Sequence, residues 1–237
     1  MRKTPFDRGA ARRMLTAGIA ALTLTATLGA TPARAAPEEA KMAPAPLVDD
    51  AESGSRATAY FAGGCFWGVE GVLAHVKGVL SVESGYGGGP ARVAVNYDKV
   101  GTGKTGYAEA VRVIYDPSQV SYGTLLRVLF SVVADPTALN YQGPDHGTQY
   151  RSALFPQNAV QAKVAKAYLS QLGRSGLWNA PIVTKIEPVG RFQPAEEHHQ
   201  DFMERNPTHG YIRYWDAPKL AAFKQLYPAL YKPTPAP

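Results

Sequence analysis

The sequence predicts an α+β fold in which one domain forms an α/β sandwich, with helices packed on a mixed β-sheet. Two observations carry that expectation. Stretches with the two-residue alternation of strands and stretches with the 3.6-residue period of helices follow one another, but without the regular βαβ spacing of a doubly wound sheet. No internal repeat is visible.

The first element is the short apolar run at 58–61, which reads as a strand and stops at Gly63-Gly64. Directly after it, Val69, Val72, Leu73 and Val76 fall at i, i+3, i+4 and i+7, one face of an amphipathic helix. Cys65 therefore stands at a strand-to-helix turn. Residues 85–106 are dense in glycine and are expected to be irregular. Next, Glu109, Val111, Val113 and Tyr115 alternate with Ala110, Arg112 and Ile114 as a strand does, and Asp116-Pro117 ends it. Ser121 suits the N-cap of a second helix, whose buried face is Tyr122, Leu125, Leu126, Leu129, Phe130 and Val133. Asp135-Pro136 breaks that helix. A polar loop to Gly147 leads to a strand near 150–155, a helix near 158–172 and a strand near 182–187. Pro194 suits the first turn of a further short helix.

Residues 1–35 have the three parts of an export signal: a basic segment, an uncharged run at 14–30 and the small-x-small site Ala33-Arg34-Ala35. The run is rich in Ala, Thr and Gly and falls short of the roughly 18 to 20 strongly apolar residues of a bilayer span, so a cleaved leader is favoured over an anchor. Arg12-Arg13 sits where a twin-arginine signal carries its pair. The expected location is the periplasm or the exterior, with no stable membrane insertion after cleavage. Residues 36–57, rich in Pro, Ala and Glu, are expected to be a disordered linker, 58–230 the catalytic domain and 231–237 a Pro-rich tail.

The leader carries six Lys/Arg and one Asp, a net of +5 out of the whole chain's +6. What remains is nearly neutral and offers no basic stripe, so no nucleic-acid partner is expected. One cysteine cannot close a disulfide within the chain.

Two glycine patterns are decoys. Gly101-Thr102-Gly103-Lys104-Thr105-Gly106 matches G-x-G-x-x-G, but a strand follows it where nucleotide binding needs a helix N-terminus. As a P-loop it would need glycine at Asp98, so it reads as a turn. Glu196, Glu197, His198 and His199 cluster, with His209 behind them. Adjacent histidines point about 100° apart on a helix, and no spacing brings two imidazoles to one face, so no metal site is expected. Pairing of Cys65 with one of these histidines, as in a Cys-His hydrolase or acyl transferase, stays open.

Cys65 lies within Gly63-Gly64-Cys65-Phe66-Trp67-Gly68. A helix N-terminus favours a thiolate through its free N–H groups and dipole, and Phe66 with Trp67 could form an apolar wall for a small S-methyl group. The segment Gly64-Cys65-Phe66-Trp67-Gly68-Val69-Glu70 resembles the active-site motif of the A-type peptide methionine sulfoxide reductases. Further blocks match in the family's order: Gly85-Tyr86-Gly87-Gly88, Gly106-Tyr107-Ala108-Glu109, Asp135-Pro136-Thr137, the run at 142–152, and Pro194-Ala195-Glu196-Glu197-His198-His199-Gln200. The resemblance runs from about Tyr60 to Tyr214.

By position, the resemblance makes Cys65 the nucleophile, Glu109 the acid, Phe66 and Trp67 the walls around the substrate methyl, and Tyr97, Asp145 and Tyr150 the hydrogen-bonding partners. It implies reduction of methionine S-sulfoxide, free or in oxidised proteins, by a monomer with no cofactor. The chemistry agrees, because sulfur attack on a sulfoxide needs its departing oxygen protonated. In one respect the chain departs from the family. Many members carry resolving cysteines near the C-terminus, whereas residues 216–237 have none, so a Cys65 sulfenic acid must meet an external thiol, thioredoxin-like or a dithiol. A peptide-binding module that has lost turnover is the rival from another class.

Overall fold

The computed structural model describes residues 39–237; the expected export signal, its arginine pair and its cleavage site lie outside the described residues. Six strands form one sheet: β1 (Ala57–Gly63), β2 (Val79–Gly87), β3 (Ala108–Tyr115), β6 (Ser152–Leu154), β7 (Lys185–Ile186) and β8 (Gln193–Pro194), in the order β7-β6-β1-β3-β2-β8. β4 (Tyr141–Gln142) and β5 (Asp145–His146) make a separate hairpin. Pairing is antiparallel except between β6 and β7, so the sheet is mixed as expected.

β3 sits centrally because both its faces can be buried. Val111, Val113 and Tyr115 enter the main core with Phe61, and α1 (Phe66–Ala74), α3 (Tyr122–Val128) and α4 (Ala159–Arg174) cover that side. On the other face Ala62, Ala108, Ala110, Ala153 and Phe155 form a small cluster under Tyr60, Val189 and Phe192. Side chains alternate with a period of two, so the strand that buries Val111 and Val113 aims Glu109 at the helical face too. Register places Glu109 opposite Tyr86.

Ser121 caps α3 as the sequence suggests, and Asn158 caps α4. Ser121 accepts from the Thr124 N–H at 3.1 Å, and Asn158 from the Gln161 N–H at 2.9 Å. Beyond α3 the chain widens into a π-helical turn, Leu129–Val133, then turns extended at Ala134.

Several expectations are corrected. Residues 85–106 are not wholly irregular: they hold the end of β2 and the short helix α2 (Tyr97–Gly101). Glycine in β2 has a packing reason, since a Cβ at Gly85 would meet the Phe192 ring at 2.4 Å and the Gln193 carbonyl at 2.5 Å. The strand at 182–187 shrinks to β7, and the stretch after Pro194 begins with a 3₁₀ turn, Glu197–His199, before α5 (Phe202–Arg205).

Residues 39–56 are not a loose tether but a strap across α3 and α4. The Lys41 N–H donates to the Ser131 carbonyl, Arg127 donates to the Ala43 carbonyl at 2.8 Å, and Tyr168 donates to the Pro44 carbonyl at 2.9 Å. Composition argued for disorder, but side chains on the helices satisfy this segment's backbone, which composition does not encode. The tail is also docked: Tyr231 bridges to Val76, and the Ala236 N–H donates to the Ala74 carbonyl. No helix among the described residues is long and apolar enough to cross a membrane.

Candidate active site around Cys65

β1 ends at Gly63, and Cys65 becomes the N-cap of α1. The turn between them needs glycine, because Gly64 has φ +91 and a Cβ there would stand 2.6 Å from Gln142. That close approach brings the β4–β5 hairpin over the turn. Gln142 locks it in place, accepting from the Asp135 N–H and donating to the Asp135 carbonyl, both at 2.9 Å. The hairpin thereby carries Asp145 to the cysteine.

Cys65 is buried. Contrary to the expectation from its helix position, its thiol is pushed well above the ordinary value, first by burial and then by Glu109, Asp216 and Asp145. The backbone N–H of Trp67 pulls the other way and is outweighed. The resting sulfur is a protonated thiol.

Glu109 is the companion acid. Its carboxyl is raised to about 8, chiefly by burial, against the 3.0 Å hydrogen bond it accepts from the Phe66 N–H. The carboxyl is therefore largely protonated at neutral pH, next to the residue that follows Cys65. The sequence pattern could not show this, because an alternating strand gives Glu109 a face but not its surroundings.

Tyr97 opens α2, with its N–H donating to Glu196 at 3.0 Å. Burial raises its hydroxyl to about 12, and Tyr150 hydrogen-bonds to it. Tyr150 comes from the 3₁₀ turn Thr148–Tyr150, which the decoy glycine segment holds: Thr148 donates to the Gly103 carbonyl at 2.7 Å and Gln149 to the Gly101 carbonyl at 3.1 Å. Asp145 accepts from Tyr211. Both tyrosines are electrostatic neighbours of Cys65 and Glu109, so all of these predicted residues converge.

Phe66 is fully buried against Tyr86, Tyr97 and His199, whereas Trp67 is half-buried and stacks on Phe202 at 3.8 Å. The Trp67 indole N–H donates to His199 Nδ1 at 3.2 Å. Burial lowers the proton affinity of His199, with His198 adding to the effect. The groups that set the proton affinity of Cys65 are carboxylates and a backbone N–H, with no imidazole among them, so the Cys-His pairing has no support. Among the described residues no group of His, Cys, Asp and Glu could hold a metal ion. Sequence reasoning missed Tyr211, Phe202 and Asp216. It read Glu196 and His199 as metal or base candidates, when they hold Tyr97 and Trp67.

Comparison with known proteins bears on this geometry. The family model for peptide methionine sulfoxide reductase matches residues 57–230. A peptide methionine sulfoxide reductase MsrA 2 from Mesorhizobium japonicum is 55% identical over 188 residues, covering 79% of this chain and 96% of that protein. The MsrA of Deinococcus radiodurans is 48% identical over 169 residues, covering 71% and 81%. Among solved structures, methionine sulfoxide reductase A of Corynebacterium diphtheriae matches with a TM-score of 0.55 at 30% identity, covering 73% of this chain and 87% of that one. The reduced form of Mxr1 from Saccharomyces cerevisiae matches with a TM-score of 0.54 at 31% identity, covering 68% and 92%. With a family model spanning the whole domain and a buried cysteine set against a protonated carboxyl, this chain belongs to the A-type peptide methionine sulfoxide reductases, a family of oxidoreductases.

Proposed function

We propose that Cys65 attacks the sulfur of methionine S-sulfoxide, free or within oxidised proteins, while Glu109 protonates the departing oxygen. The observation that carries this is a carboxyl raised to about 8 and buried beside a lone thiol. As Glu109 gives its proton to the oxygen, it can take up the proton that Cys65 loses. In the adduct the hydroxyl passes from the methionine sulfur to the Cys65 sulfur; as that S–O bond forms, the methionine S–O bond and the new S–S bond break, so methionine leaves and Cys65 is left as a sulfenic acid. Tyr97 and Tyr150 donate to the oxygen as charge builds on it. Phe66 and Trp67 wall the methyl group, and Asp145 helps to hold the substrate.

Regeneration is external, since the chain has one cysteine. A first thiol of a thioredoxin-like protein or small dithiol displaces water from the sulfenic acid to form a mixed disulfide. Its second thiol then releases Cys65 as a thiol. The electrons come from thiols, so the cycle uses no metal or organic cofactor. One chain supplies every group named, and a monomer suffices. Export rests on residues 1–35, and fractionation of cells producing the full chain tests it.

The test is a single-turnover assay on each epimer of a methionine sulfoxide peptide, without reductant, trapping sulfenic acid. About one methionine per enzyme from the S epimer alone, with the trap on Cys65, is the expected result. No methionine from either epimer sinks the reading.

A further inference from the structure

Gly68 lies in the first turn of α1, three residues after Cys65, and no side chain fits there. A Cβ would stand 2.2 Å from Asp216 Oδ1 and 2.8 Å from its Cγ. Glycine inside a helix costs about 1 kcal/mol relative to alanine, and here the space it leaves is filled by a carboxyl group. Asp216 closes the π-helical turn Ile212–Asp216, directly before α6 (Ala217–Leu226). The Asp216 side chain has no exposed surface, and Lys219, one turn on, pairs with it at 3.5 Å. A carboxylate out of water needs such a partner. No motif in the sequence singled this residue out.

Around the thiol, acidic groups dominate. Glu109 reaches it from β3, Asp145 from β5 and Asp216 from the end of the π-helical turn, while Tyr97, Tyr150 and Tyr211 supply neutral hydroxyls. The opposing charges are Lys219, which faces Asp145 as well as Asp216, and His146, which faces Asp145. Negative charge at Asp216 opposes loss of the proton from Cys65 and from Glu109 alike.

We propose that Asp216 is a positioning residue for the reduction, a charge wedged against Gly68 that keeps the Cys65 thiol and the Glu109 carboxyl protonated in the resting enzyme. The proposal rests on the reading of Cys65 as nucleophile and Glu109 as acid. Its consequence is protective as well as catalytic. A protonated thiol reacts slowly with peroxides and disulfides, which matters for an enzyme with a single cysteine, and the acid stays loaded for the next sulfoxide.

The experiment uses the full chain with Asp216→Asn, which keeps the shape, and Asp216→Leu, which fills the site with an apolar group. Circular dichroism checks the fold of each. Two pH midpoints are read: that of Cys65 alkylation by iodoacetamide, and that of the alkaline loss of single-turnover reduction. Both are expected to fall by about one pH unit in each folded variant, the scale on which one nearby charge acts. Unchanged midpoints with only a lower amplitude mean that Asp216 merely packs, and the proposal fails. Alkylation is read without substrate, so it remains decisive even if the wild-type chain reduces no sulfoxide and the proposed reaction falls on its own.

Discussion

Two buried carboxyls lie on or against α1, and they share their most unusual property. Glu109 on β3 and Glu70 on α1 are each raised to about 8, in both cases chiefly by burial. Both accept from the backbone, Glu109 from the Phe66 N–H at 3.0 Å and Glu70 from the Asp201 N–H at 3.1 Å, with Ser84 a further hydrogen-bond partner of Glu70. Their company differs. Glu109 stands with Cys65, two tyrosines and two further carboxyls, whereas the groups that set the proton affinity of Glu70 are Asp201 and Ser84, with no thiol among them. A raised proton affinity therefore marks a carboxyl able to carry a proton, and a neighbouring nucleophile turns that ability into chemistry.

The comparison breaks first at the sulfur. Cys65→Ser removes the proposed nucleophile and leaves both carboxyls in place, so single-turnover assays are expected to give no methionine; retained turnover would show that neither carboxyl serves this thiol. Next comes the acid itself. Glu109→Gln keeps the Phe66 hydrogen bond but cannot donate a carboxyl proton, and the chemical step is expected to slow by about 10²- to 10⁴-fold. Glu70→Gln is expected to leave that step unchanged. Equal losses in the two variants, measured by rapid quench, would erase the distinction between the two sites.

Stability should treat the two carboxyls alike, which sharpens the contrast. Both have folded-state values raised from 4.5 to about 8. The folded state thus binds protons more tightly than the unfolded one. Their favourable contribution is complete below about pH 4.5 and is lost as pH rises through about 8. Denaturant titrations across that window are expected to show falling stability in the wild type, with a shallower fall in Glu109→Gln and in Glu70→Gln. A wild-type profile that is flat from pH 5 to 9 contradicts the burial of both groups.

The sequence made the two sites unequally legible. Cys65 at a strand-to-helix turn and Glu109 on an alternating strand were both readable, because their positions follow from local periodicity. Their proton affinities were not. Helix position argued for a thiolate, but burial and three carboxylates from distant segments raise the thiol instead. The strand β2 was half hidden for a related reason: Gly85 reads as a breaker until Phe192, more than a hundred residues on, is known to occupy the space above it. The strap at 39–56 failed the same way, since its partners lie on α3 and α4. Local pattern reveals elements, whereas the long-range contacts that tune them appear only in the fold.

The smallest expected effect concerns the wall on the Glu109 side. Trp67 is held by its indole N–H to His199 Nδ1, and this bond requires that nitrogen to be unprotonated. Burial, with His198 beside it, lowers the proton affinity of the imidazole, so the bond persists at neutral pH and is lost as acid protonates the ring. His199→Phe preserves an aromatic surface while deleting the acceptor, at a cost of about 1 kcal/mol. The expected outcome is a several-fold rise in KM for a methionine sulfoxide peptide with kcat kept, because the proposed role of Trp67 is to wall the substrate methyl and not to move a proton. A fall in kcat at constant KM would instead place His199 within the proton chemistry of Cys65 and Glu109. The catalytic surroundings of Glu109 would then extend one residue further than the geometry assigns.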